Sequence, residues 1–237
     1  MLKETFLIFF ICTLLTNDLV MAQKKTFDFG IFLGRSYYLG EINPSTHYGD
    51  DVGSGNIGAV LRYNLNNRYS LKATLIRTEL SGDDEVADFN FNQNRNASFE
   101  TGLTDLTAGI EFNFLPYEHG SRERFFSPYL FVGLSFAWFN PETFIDGQEV
   151  ETEETNSQTT LALPFGPGFK LSLGKKVNLS FEWIFRTASS DYIDGLPNRI
   201  NEVIEQGKDF DNDWYVHSGF MLTYRLTPIG NCPVYNF

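Results

Sequence analysis

LALPFGPGFKLSLGKKVNLSFEWIF, residues 161–185, decides the fold. On its first arm Leu161, Leu163, Phe165, Phe169, Leu171 and Leu173 are apolar, with Ala162, Gly166, Gly168, Lys170 and Ser172 between them. After Gly174-Lys175-Lys176 the second arm carries Val177, Leu179, Phe181, Trp183 and Phe185, alternating with Asn178, Ser180, Glu182, Ile184 and Arg186. A period of two means strands with one apolar and one polar face, and the short turn joins them as a hairpin. Small and charged residues stand where a soluble protein would pack a second sheet. An apolar exterior around a polar interior is the pattern of a transmembrane β-barrel.

The flanking chain repeats the alternation. Phe27, Phe29, Ile31, Leu33, Tyr37 and Leu39 mark a first strand, long enough to cross a hydrocarbon layer that needs about 9–11 tilted residues. Ile57, Ala59, Leu61 and Tyr63 mark a second, and Tyr69, Leu71, Ala73 and Leu75 begin a third. In the fourth, residues 97–115, Phe99, Thr101 and Leu103 are odd-numbered while Leu106, Ala108, Ile110, Phe112 and Phe114 are even. A bulge near Thr104-Asp105 is expected to reconcile the two. Strand five carries Leu130, Val132, Leu134, Phe136 and Trp138 outward, and the last strand Trp214, Val216, Phe220, Leu222, Tyr224 and Leu226. With the hairpin, the expected fold is all-β: an eight-stranded antiparallel up-and-down transmembrane barrel over residues 23–226.

The connections support this independently. Those after odd-numbered strands (41–55, 81–96, 140–157 and 187–212) are long and polar or acidic; the others are short. Outer-membrane barrels have short periplasmic turns and long extracellular loops, so both termini are expected in the periplasm. Phe27, Tyr63, Tyr69, Phe114 and Tyr224 fit a periplasmic aromatic girdle, and Tyr37, Trp138 and Trp214 an outer one. Residues 1–22 read as an export signal: Lys3, an apolar run from Phe6 to Leu15 that contains Cys12, and Val20-Met21-Ala22 at the cleavage site. Beyond it no apolar run is long enough for a membrane helix. The formal net charge of −12 argues against nucleic acid.

Arg62, Lys72, Glu111, Lys170, Glu182, Arg186 and Arg225 fall on inward positions, which disfavours a soluble barrel with an apolar interior. An eight-stranded barrel is narrow enough for side chains to fill it. Glu111 and Glu182 are therefore expected to pair with some of the five cations and close the lumen. Glu182→Ala should lower the unfolding midpoint, and no steady conductance is expected.

No catalytic or metal site is expected. His47, His119 and His217 fall in an outer loop, a periplasmic turn and the lumen, and no Ser or Cys has a base beside it in sequence. The acids of Asp209-Phe210-Asp211-Asn212-Asp213 lack the Gly and Glu of a calcium loop, with Trp214 and Phe220 in those places. They read as solvated, as do Asp83-Asp84-Glu85 and the run 149–154.

Across most of the mature chain the segments resemble the PorG-like family, outer-membrane barrel components of the type IX secretion system of Bacteroidota. The resemblance rests on FLGRSYYLGEIN (32–43), LRYNLNNR (61–68) with Ser81-Gly82-Asp83-Asp84, and IEFNFLPY (110–117). It continues in FSPYLF (126–131) with Phe139-Asn140-Pro141, LPFGPG (163–168), Asp213-Trp214-Tyr215 and the tail Cys232-Pro233. It implies a component that ties the periplasmic ring, a lipoprotein and its partner subunit, to the outer membrane. The docking face would be the short turns and the tail, residues 227–237, and it is comparatively basic: Arg68, Arg122, Arg124, Lys175 and Lys176. An unpaired Cys232 in an oxidising compartment is either idle or paired to another chain. The resemblance makes the ring lipoprotein the expected disulfide partner. The competing function is a free-standing surface barrel, adhesive or protective, that works through its outer loops.

Overall fold

The computed structural model describes residues 25–39, 53–83, 97–145, 148–149, 158–189, 193, 199–200, 204–205 and 213–227. Residues 1–22, read above as an export signal, His47, Cys232 with most of the tail, and most of the acidic loop runs lie outside them. The long strands are β1 (Thr26–Leu39), β2 (Gly53–Asn64), β3 (Tyr69–Asp83), β4 (Ala97–Asn113), β5 (Phe126–Ile145), β6 (Gln158–Ser172), β7 (Val177–Ala188) and β8 (Trp214–Arg225), with two-residue strands at Gln148–Glu149, Arg199–Ile200 and Ile204–Glu205 in the connections. Each long strand pairs antiparallel with the next, and β8 returns to pair with β1, so the sheet is a closed eight-stranded barrel. Closure matters in lipid, where an open edge would leave backbone N–H and C=O groups without partners.

The registers fix the barrel's shape. Phe27 lies opposite Tyr63, then in turn Leu71, Ile110, Val132, Phe165, Phe185 and Val216, and Val216 lies opposite Tyr37. One circuit thus climbs from Phe27 to Tyr37, a shear of ten residues, which tilts the strands by about 40° to the axis. The wall is narrow, and its interior is packed.

Outward positions form an apolar belt. Ile31, Leu33, Leu61, Leu75, Ile110, Val132, Leu163, Phe169 and Leu222 are among its exposed side chains, and Leu134 is 68% exposed. An apolar surface on that scale fits hydrocarbon and not water. Phe27, Tyr69, Phe114 and Tyr224 ring one edge, and Trp138 stands at the other. Tyr37 does not face lipid: it is only 5% exposed, with its ring laid over Gly53 on β2.

The expected bulge in β4 is absent. Pairing with β3 and with β5 runs unbroken through Thr104 and Asp105. Phe99, Thr101, Leu103 and Asp105 therefore share one inward face, all buried. The apparent register shift arose because the lumen itself turns apolar towards the long-loop end, and alternation cannot say which apolar face meets lipid. Four strands also outrun their expected ends, β2 and β7 by two or three residues. β3 continues through Ser81 to Asp83, and β5 through Asn140 to Ile145, because the β3–β4–β5 ladder extends beyond the belt, where polar residues pair as readily as apolar ones. Inward glycines make room for rings: a Cβ on Gly168 would lie 2.4 Å from Cζ of Tyr129, and one on Gly109 2.7 Å from Cζ of Phe131.

Candidate functional site

Among the described residues, buried side chains occupy the lumen along its length, in four zones. In the half nearer the short turns, Glu111 on β4 is the hub. Arg62 Nε and Nη2 each donate to its carboxylate at 3.0 Å, Lys170 Nζ donates at 2.5 Å, and Lys72 Nζ lies 3.6 Å away. Lys72 also pairs with Glu182, which accepts from the Tyr129 hydroxyl at 3.0 Å. The Lys72 ammonium sits over the Phe131 ring, 3.9 Å from its centre. All these side chains are buried, so each charge holds its place only because its partners do.

Arg186 stands apart from this network. Its partner is Asp105, 2.9 Å from Nε, an acid that the bulge reading had placed at a register break. Asp105 also accepts from Ser135 and Thr107 at 2.6 Å and from Tyr215 at 2.9 Å. Beside it, His217 Nδ1 is 2.7 Å from Ser36 Oγ, and Nε2 is 3.7 Å from Asp105. This Ser–His–Asp alignment leaves no trace in any one stretch of sequence, because its members lie on β1, β8 and β4. Asn56 donates to Ser36 Oγ at 2.9 Å. All four side chains are buried, which makes this a packed polar cluster.

Above it lies an apolar cap: Tyr38, Leu80, Phe99, Leu103, Phe139 and Tyr215, with Ile193 from the β7–β8 connection seated among them. The Tyr38 hydroxyl donates to Asp213 at 2.6 Å, and Asp213 accepts the Ile193 N–H at 2.9 Å. Thr101 donates to the Ile193 carbonyl at 2.7 Å, pinning Ile193 among the cap residues.

The short-turn mouth is stopped by the β4–β5 connection. Tyr117 turns inward and donates to Asn178 at 2.8 Å; His119 follows, its Nε2 3.3 Å from Asp28. Asp28, opposite Arg225 across the β1–β8 seam, accepts from Asn64 at 2.8 Å. Burial pushes the Tyr117 phenol up. Burial, with the charges of Arg225, Arg62 and Lys170, pulls the His119 imidazole down to about 3. Tyr117 and His119 were missed because a turn residue pointing inward leaves no periodic trace, whereas Asp28 stands at an inward position of β1, where parity alone places it in the lumen.

The rim around this mouth is one hydrogen-bonded ring. Tyr117 N–H donates to the Asn67 carbonyl at 2.9 Å, Gly120 N–H to Ser172 Oγ at 2.8 Å, and Arg225 N–H to the Lys176 carbonyl at 2.7 Å. On it Arg68, Arg122, Arg124, Lys175 and Lys176 are exposed. Arg68 reaches the Asn113 and Phe114 carbonyls, Arg124 lies 3.5 Å from Glu118, and Lys176 stands over the Tyr224 ring. The three turns thus bring the five basic residues to the same end. Among the described residues, no three His, Cys, Asp or Glu side chains gather in a way that would hold a metal ion.

None of the curated proteins matches the chain. Solved structures similar to it include Ail, the attachment invasion locus protein of Yersinia pestis (13% identity, TM-score 0.44, 86% of this chain and 99% of that one). Neisserial surface protein A is 12% identical, with a TM-score of 0.48 over 84% of this chain and 96% of its own. The outer membrane protein OprG of Pseudomonas aeruginosa is 11% identical, with a TM-score of 0.44 over 88% and 100%. The model of one sequence family matches residues 4–236, nearly the whole chain, and the protein belongs to that family, the Domain of unknown function DUF6089.

Proposed function

We propose that this protein is a non-enzymatic component of the type IX protein secretion machinery, seated in the cell outer membrane with its short turns in the periplasm. The observation that carries the reading is the basic short-turn rim on a barrel whose lumen is filled. A packed lumen offers no conduit, so the protein's work is done at a rim. Five exposed cations on a chain of net charge −12 would steer an acidic partner to that rim. The PorG-like motifs name the partner: the periplasmic ring lipoprotein with its companion subunit. In this reading Cys232, in the tail beyond the described residues, forms a disulfide to the lipoprotein.

Reversing the charge of Lys175 and Lys176 should lower recovery of the ring subunits from mild detergent, while deletion of residues 148–156 leaves secretion intact. Non-reducing gels of outer membranes, thiol-trapped at harvest, should show a heavier species that collapses with reductant and is missing in Cys232→Ser. Wild type running only as monomer would remove the tether. Secretion lost on deleting 148–156 would instead favour a surface barrel that acts through its outer loops. Reproducible ohmic channels from the purified barrel would overturn the filled lumen.

A further inference from the structure

Where β3, β4 and β5 leave the apolar belt on the long-loop side, their outer face carries a polar groove of about 410 Å³. Arg77 and Glu79 of β3, Glu100 of β4, and Trp138 and Glu142 of β5 line it, around Gly102. Register brings them together: Arg77 and Trp138 both lie opposite Thr104, and Glu79 lies opposite Gly102. Gly102 keeps the centre open, since a Cβ there would meet nothing within 4 Å. Trp138 is held edge-on by Phe136, with ring centres 4.6 Å apart. One outward position down the same strands are Leu75, Leu106 and Phe136, exposed members of the belt. The groove therefore begins where hydrocarbon ends.

Position decides the kind of occupant. At that height, what lies against the outer face of a membrane-spanning strand is the headgroup of a neighbouring lipid. Charge decides which headgroup. Carboxylates alone would make only a solvated acidic surface, but here a guanidinium and an indole stand among three of them. Among the described residues no ion pair joins Arg77 to Glu79, Glu100 or Glu142. A guanidinium suits a phosphate. Three carboxylates suit an ammonium that can donate three hydrogen bonds, and an indole face attracts the same cation. An anionic headgroup without an amine would meet three like charges, and a choline group has no N–H to give.

We propose that this groove binds the phosphoethanolamine headgroup of a membrane lipid, with phosphate on Arg77 and ammonium among Glu79, Glu100 and Glu142 beside Trp138. The test uses the purified full-length protein in nanodiscs of equal phosphatidylethanolamine, phosphatidylcholine and phosphatidylglycerol. Lipid that stays bound after transfer to mild detergent is measured by mass spectrometry. Phosphatidylethanolamine should exceed phosphatidylglycerol about fivefold, the value of roughly 1 kcal/mol from partly exposed charge pairs. That excess should vanish in Glu100→Gln/Glu142→Gln and shrink in Arg77→Gln, and it should persist in Glu123→Gln on the opposite rim. Unchanged urea midpoints would show that the variants are folded. Equal retention of the three lipids, preference for either of the others, or full retention by the variants would overturn the site.

Discussion

The two halves of the lumen solve one packing problem with opposite chemistry. Near the short turns, Arg62, Lys72, Lys170, Glu111 and Glu182 fill the barrel as an ionic network. Near the long loops, Tyr38, Leu80, Phe99, Leu103 and Phe139 fill it as an ordinary apolar core. Both sit inside the same wall, of the same strand number and shear. The wall therefore asks only that its interior be occupied, and the difference lies in how each half fails. An ionic network is all or none, because a member that loses its partner becomes an uncompensated buried charge. An apolar cap loses contacts in proportion to what is removed.

The comparison can be broken at several points. Glu111→Ala should have the largest effect, leaving Arg62 and Lys170 buried without the acid that holds them. Unfolding free energy in detergent micelles should fall by about 3–5 kcal/mol, read from urea midpoints. In the cap, Leu103→Ala should cost about 2 kcal/mol, at the low end for truncation of a buried leucine. A cap variant costing more than Glu111→Ala would reverse the ranking of the two halves. Tyr38→Phe should cost about 1 kcal/mol by the same measurement, since Asp213 loses one hydrogen bond but keeps the Ile193 N–H.

The smallest effect is a pH dependence at the mouth below the ionic network. His119 is held down to about 3 in the folded protein, against an ordinary 6.5. The unfolded chain therefore takes up a proton that the folded one refuses. Stability from the neutral imidazole is full above about pH 6.5 and is lost progressively as pH falls from there towards 3. Between pH 7 and pH 4 the wild-type midpoint should drop further than that of His119→Gln. Equal drops would show that His119 is not what the mouth responds to.

The legibility of the sequence divides along the same line. Charged residues at inward positions stand out against an apolar alternation, so the seven from Arg62 to Arg225 could be read as luminal from parity alone. Phe99 and Leu103 could not, because an inward apolar residue looks like an outward one. Taking them as outward forced a bulge into β4 and removed Asp105 from the lumen, and with it the partner of Arg186. Tyr117 and His119 were hidden for another reason: they come from a turn, where no period applies. Cross-strand meetings such as Ser36 with His217 depend on register, which alternation within single strands leaves open. The groove around Gly102 was illegible too, because the Asn140–Glu142 end of β5 reads as acidic loop.

The seam between β1 and β8 has a consequence for how the chain becomes a barrel. Every other pairing joins neighbours in sequence, but this one brings Phe27 to Thr227, 200 residues away, where the Phe27 N–H donates to the Thr227 hydroxyl at 2.7 Å. Contacts of such separation carry the greatest loop-closure entropy and are the slowest to form. A chain with its hairpins made and its seam open would present two bare strand edges, which hydrocarbon does not tolerate. Zipping of β8 onto β1 must therefore accompany insertion, and until then the two end strands need a borrowed partner.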